Sequence, residues 1–135
     1  MPNRCIEIHD SVLERVSLSQ GVAELHFSSI YIHQSEGEPG VAPGIGWFQE
    51  AVLRIFDAVV PATLPQVPIE LGDGELVLGN TLSKNEIPLP LDHRGPFELR
   101  LIPMWEPESI LLFRGSGAIL ALTGNSSAIE KFSPQ

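Results

Sequence analysis

Cys5-Ile6-Glu7-Ile8-His9-Asp10-Ser11-Val12-Leu13-Glu14-Arg15-Val16, a turn at Gly21, and then Val22-Ala23-Glu24-Leu25-His26-Phe27 decide the fold class of this chain. They read as two extended runs joined by local turn chemistry, the signature of a β-rich domain. In the second run Leu25 and Phe27 alternate with Glu24 and His26, the period of two that a half-buried sheet demands. Past Ser28-Ser29 the pattern inverts, since Ile30 and Ile32 are apolar on the opposite parity. A bulge or bend near the serines, or a segment buried on both faces, is therefore expected.

Working outward, His33 to Gly46 carries four glycines and two prolines and reads as a long mobile loop, either functional or merely flexible. Residues 47–60 fit both a helical stripe and a strand. Their β-branched and aromatic content, the lack of an N-cap and the stop at Pro61 favour strand. Ile69–Leu71 and Glu75–Leu78 about Gly72-Asp73-Gly74 read as a hairpin closed by Gly79-Asn80. The proline-studded run Ile87 to Leu91 is extended and confined to a sheet edge or a polyproline-like passage. Phe97 to Leu101 alternates and ends at Pro103, and Gly115-Ser116 reads as a type II′ loop joining Ile110–Arg114 to Gly117–Thr123. Asn125 to Gln135 reads as a short polar tail. The sum is one all-β domain over 1–135, an antiparallel sandwich or partly open barrel of about seven or eight strands.

Composition bounds the function. A domain of 135 residues can bury roughly two thirds of its unfolded surface without disulfides or metals. Mean hydropathy is +0.12, and no apolar run approaches the roughly 18 residues needed to cross a bilayer. The start of the chain has no export signal, so the expected location is cytoplasmic. A lone Cys5 agrees with a reducing compartment and reads as a small apolar residue of the first strand. Seventeen acidic residues against eight basic ones give a charge of −9, and the six arginines are scattered singly. This argues against nucleic-acid or anionic-membrane binding, and the acidity serves solubility or steers a basic partner.

The chemistry-bearing residues are few. His9-Asp10-Ser11 holds the residue types of a hydrolase triad, but neighbours on an extended chain point alternately and do not converge. Asp10 and Ser11 fit turn or strand-start roles, and His9 an outward polar position, with a site shared with distant residues as the alternative. Among His9, His26, His33 and His93, only His26 shares a strand face with a carboxylate, Glu24, so no metal site is assigned. Gly44-Ile45-Gly46 lacks the further residues of a phosphate-cradling loop, and no cofactor is expected. Trp47 and Trp105 suit rim positions capping the core, or serve as anchors at a binding surface. The ligand-binding candidates are His9, Asp10, His26 and Trp47.

With His9-Asp10-Ser11-Val12-Leu13 near its start and Glu130-Lys131-Phe132 near its end, the chain resembles a loose group of small uncharacterised bacterial β proteins, some similar to toxin-immunity proteins. The resemblance implies a β-sandwich-like domain that acts by binding, and it carries over no catalytic residue. The leading expectation is a small acidic, non-enzymatic protein acting on an unidentified protein partner. The alternative is a small-molecule-binding β-barrel gated by residues 33–46 and lined by Phe27, Tyr31, Trp47 and Phe56. An enzyme using His9 and Asp10 with remote partners ranks third. Edge strands and the apolar hairpin make a homodimer a further expectation.

Overall fold

The computed structural model describes residues 3–35, 44–63 and 66–132. They form eight strands: β1 (Asn3–Ser19), β2 (Val22–Ser35), β3 (Gly44–Phe56), β4 (Ile69–Leu78), β5 (Thr81–Lys84), β6 (Glu86–Leu89), β7 (Asp92–Pro103) and β8 (Leu111–Phe132). All belong to one antiparallel sheet in the order β5-β4-β7-β8-β3-β2-β1-β6. Val12 opposite Glu70 and Leu13 opposite Ile69 join β1 to β4 and bend the sheet into a partly closed ring. The all-β reading holds, as does the expected strand number.

The β1–β2 hairpin turns at Gln20-Gly21, both with positive φ, as the twist-matched type I′ turn requires. The inverted parity of β2 has the anticipated cause: its register against β3 slips between Phe27 and Ile30. Ile30, Tyr31 and Ile32 are all buried, so this stretch is covered on both faces. Inside lie Ile30 and Ile32. Tyr31 packs on the other face, edge-on to His33 and to Phe48 with ring centroids 4.9 Å apart in each pair.

Residues 47–56 are strand, continuous with Gly44–Gly46. The supposed loop is correspondingly shorter, because His33–Ser35 extend β2 and Ser35 pairs with Gly44; residues 36–43 of that loop lie outside the described residues.

Three expectations fail. Gly115-Ser116 makes no hairpin: β8 runs unbroken from Leu111 to Phe132 and takes in most of the supposed tail. Gly115 serves closeness rather than turning, since a Cβ there would overlap the Phe56 carbonyl oxygen and Ile55 Cγ2. Likewise β4 runs straight through Gly72-Asp73-Gly74 with a register shift against β7. A Cβ on Gly74 would stand 2.7 Å from the Arg100 carbonyl oxygen and 2.8 Å from Ile8 Cδ1. Gly79-Asn80 does turn the chain, from β4 into β5. The proline-bearing β6 sits at the sheet edge beside β1, as Pro88 requires.

Leu13, Leu25, Leu53, Ile55, Leu71, Leu76, Leu99 and Phe113 are among the fully buried side chains that fill the ring. In β1 the buried parity changes from Ile6 and Ile8 to Ser11 and Leu13. His9-Asp10 is the pair that absorbs the phase change.

Candidate functional site

The His-Asp-Ser motif is a bulge. Between the pairs Glu7–Tyr31 and Val12–Ser29, β1 has four residues where β2 has one. Asp10 takes φ 71°, which Asp tolerates better than most residues. Ser11 points inward, buried, and its hydroxyl donates to the Glu7 carbonyl at 2.9 Å. His9 and Asp10 are half-exposed and pair with each other, Nδ1 to Oδ2 at 3.0 Å. Asn85, at the tip between β5 and β6, braces the bulge. Its carbonyl accepts from Ile8 N–H at 3.0 Å, its Oδ1 from His9 N–H at 2.7 Å, and its own N–H donates to the Gly74 carbonyl at 2.8 Å.

His26 stands elsewhere, opposite Arg15 on the outer face. Arg15 donates to its Nδ1 at 3.2 Å, and its Nε2 faces Glu24 Oε1 at 3.4 Å. The Arg54 guanidinium, donating to Glu24 at 2.7 Å, holds that carboxyl below the usual range; burial opposes this less strongly, and His26 adds a smaller lowering. Trp47 is only 9% exposed and lies in the core opposite Ile32. Its N–H donates to Gln49 Oε1 at 2.9 Å, and the Arg4 guanidinium lies 5.8 Å from its ring centroid. No hydrogen bond, ion pair or ring contact among the described residues joins His9 and Asp10 to His26, or either to Trp47. The four candidates are three separate places.

Burial comes first among the causes that push the Cys5 thiol up to about 11, with Glu86 and Glu7 adding like charge. A buried, protonated thiol is a poor nucleophile. Among the described residues no group of three or more His, Cys, Asp or Glu is gathered to hold a metal. The interior space bounded by Ile6, Ile8, Phe27, Ile30, Leu71 and Leu101 is about 10 Å³. A drug-sized ligand occupies roughly 300 Å³ or more, so that part of the interior has no room for one.

The concavity with the makings of a docking surface lies outside the barrel, where the start of β4 and the residues just before it meet the end of β7 and the β7–β8 loop. Pro68, Ile69 and Glu70 form one side and Pro103, Trp105 and Glu106 the other, around about 400 Å³ of open groove. Both sides are fixed. Met104 N–H donates to the Glu70 carbonyl at 2.9 Å, Trp105 Nε1–H to Glu70 Oε2 at 3.1 Å, and Ser109 N–H closes a turn onto the Glu106 carbonyl at 2.9 Å. Pro107 at the second position of that turn suits it. Trp105 is nonetheless 79% exposed, which overturns its reading as a core cap. Its ring stands in solvent while its N–H is tied to Glu70. The signal was present in Pro103-Met104-Trp105-Glu106-Pro107, a tryptophan bracketed by prolines beside a glutamate. What the local sequence lacks is Glu70, thirty-five residues away. Val67 and Ile110, 44% and 52% exposed, flank the two segments in sequence. Comparison with known protein families, curated proteins and solved structures finds no match to this chain.

Proposed function

We propose that this chain is a non-enzymatic binding protein that engages a protein partner through the Trp105 groove. The observation that carries the reading is a tryptophan whose N–H is bonded to Glu70 yet which is 79% exposed in a groove lined by prolines. Leaving a large aromatic ring in water forgoes burial worth roughly 2 kcal/mol or more, an energy released when a partner covers it. Exposed Trp is also the residue type most enriched among the few side chains that dominate interface energetics. A net charge of −9 supplies long-range attraction for a basic partner.

The reading is tested by affinity capture from host lysate on immobilised wild-type protein and on Trp105→Ala, side by side. A partner held by the wild type should be lost from the variant, whose exposed substitution leaves the core intact. Identical recovery on both surfaces would remove the groove from the binding reaction.

A further inference from the structure

We propose that the occupant of this groove is an extended, proline-bearing basic segment of the partner, lying in the polyproline II conformation; the inference rests on the reading of the groove as the partner site. Three features define the occupant.

The first is the charge of the rim. Glu70 and Glu106 line the groove, Glu108 follows two residues on, and no lining residue is basic. An acidic rim on a protein of net charge −9 selects Arg or Lys and repels acidic chains. Glu70 spends one oxygen on Trp105 and keeps the other for a guanidinium.

The second is backbone chemistry. A bound β-strand needs a ladder of free N–H and C=O groups, and three backbone positions at this groove cannot donate to one. Pro68 and Pro103 have no N–H, and the Met104 N–H is already bonded to the Glu70 carbonyl. An occupant recognised by side-chain surface alone fits a polyproline II helix, which needs no ladder partners and is ordered before binding.

The third is the ring. With its N–H occupied, Trp105 presents an exposed ring in a groove that Pro68 and Pro103 also line, a surface on which a proline ring or a planar guanidinium stacks.

The test uses the full chain labelled with ¹⁵N and a synthetic nonapeptide of three Arg-Pro-Pro repeats. Two indole N–H signals report separately: Trp105 in the groove, and Trp47, buried and bonded to Gln49, as an internal control. The peptide should move the Trp105 signal and leave that of Trp47 in place. Replacing its arginines by glutamate should weaken binding about tenfold or more, replacing its prolines by alanine should weaken it several-fold, and Glu106→Gln should weaken it about threefold. In Trp105→Ala an unchanged Trp47 signal verifies the fold, and peptide binding followed by fluorescence polarisation should vanish. Absence of binding at peptide concentrations on the order of 1 mM overturns the proposal, as does equal affinity for the arginine and glutamate peptides. If lysate capture still depends on Trp105 in that case, the partner site stands with a different occupant. If capture is indifferent to Trp105, both readings fall together.

Discussion

At Asn85 a single residue joins three segments, because its backbone and its Oδ1 together bond β4 and the bulge of β1. Its φ of 58° is a left-handed conformation that asparagine tolerates and alanine resists by about 1–2 kcal/mol. Asn85→Gly should therefore lose only the bond to His9 N–H, about 1 kcal/mol, while Asn85→Ala should lose that and add strain. Urea unfolding of the two variants separates the effects, and equal stabilities would show that the backbone conformation costs nothing. Cys5 supplies a second test. Its thiol moves from 9.0 up to about 11 on folding, so above pH 9 the unfolded chain loses a proton that the folded chain keeps. The stabilisation is complete below pH 9 and is lost as pH rises toward 11, by about 2 kcal/mol. Unfolding free energies measured at about pH 8 and about pH 10.5 should fall more steeply for wild type than for Cys5→Ala, and parallel curves would contradict the assignment.

Gly115→Ala tests the continuity of β8, because the new methyl meets the Phe56 carbonyl and Ile55 on the neighbouring strand. Overpacking of this kind costs about 1–3 kcal/mol, read as a lower melting temperature. A neutral result would mean that β8 bends away from β3 at that point. The same residue shows how far sequence reading reaches at this scale. Strands β2 and β7 are legible because alternation is local: Leu25 and Phe27, or Leu99 and Leu101, declare their burial without reference to a neighbour. The glycines of β4 and β8 are illegible because the same residue satisfies a turn and a close contact, and only the adjacent strand decides between them. His9-Asp10-Ser11 is ambiguous for a related reason. Its residue types suggest chemistry, and in the structure it rephases β1 from Ile8 to Ser11 and meets Asn85, seventy-six residues from His9. The candidate groove was half legible, Trp105 standing out by its prolines and Glu70 being brought to it by the pairing of β4 with β7.

Across the whole molecule, seventeen acids against eight bases set a field that acts before any contact forms. Charges of this kind accelerate encounter with a basic partner and are screened beyond a Debye length, about 10 Å at 0.1 M salt and about 3 Å at 1 M. A groove whose rim alone mattered would respond to salt mainly through dissociation, because close pairs are screened least. A groove served by the whole surface would respond through association. The −9 charge spread along the chain favours the second. Stopped-flow mixing with the arginine–proline peptide should therefore show an association rate falling about tenfold as salt rises from about 0.05 M to about 0.5 M, with dissociation nearly constant. Neutralising Glu50, which lies on β3 and outside the groove lining, should lower the association rate slightly and leave dissociation unchanged. Glu106→Gln should raise the dissociation rate. If both substitutions act only on dissociation, the attraction is confined to the rim, and the acidity of the remaining surface serves the solubility of the protein rather than the capture of its partner.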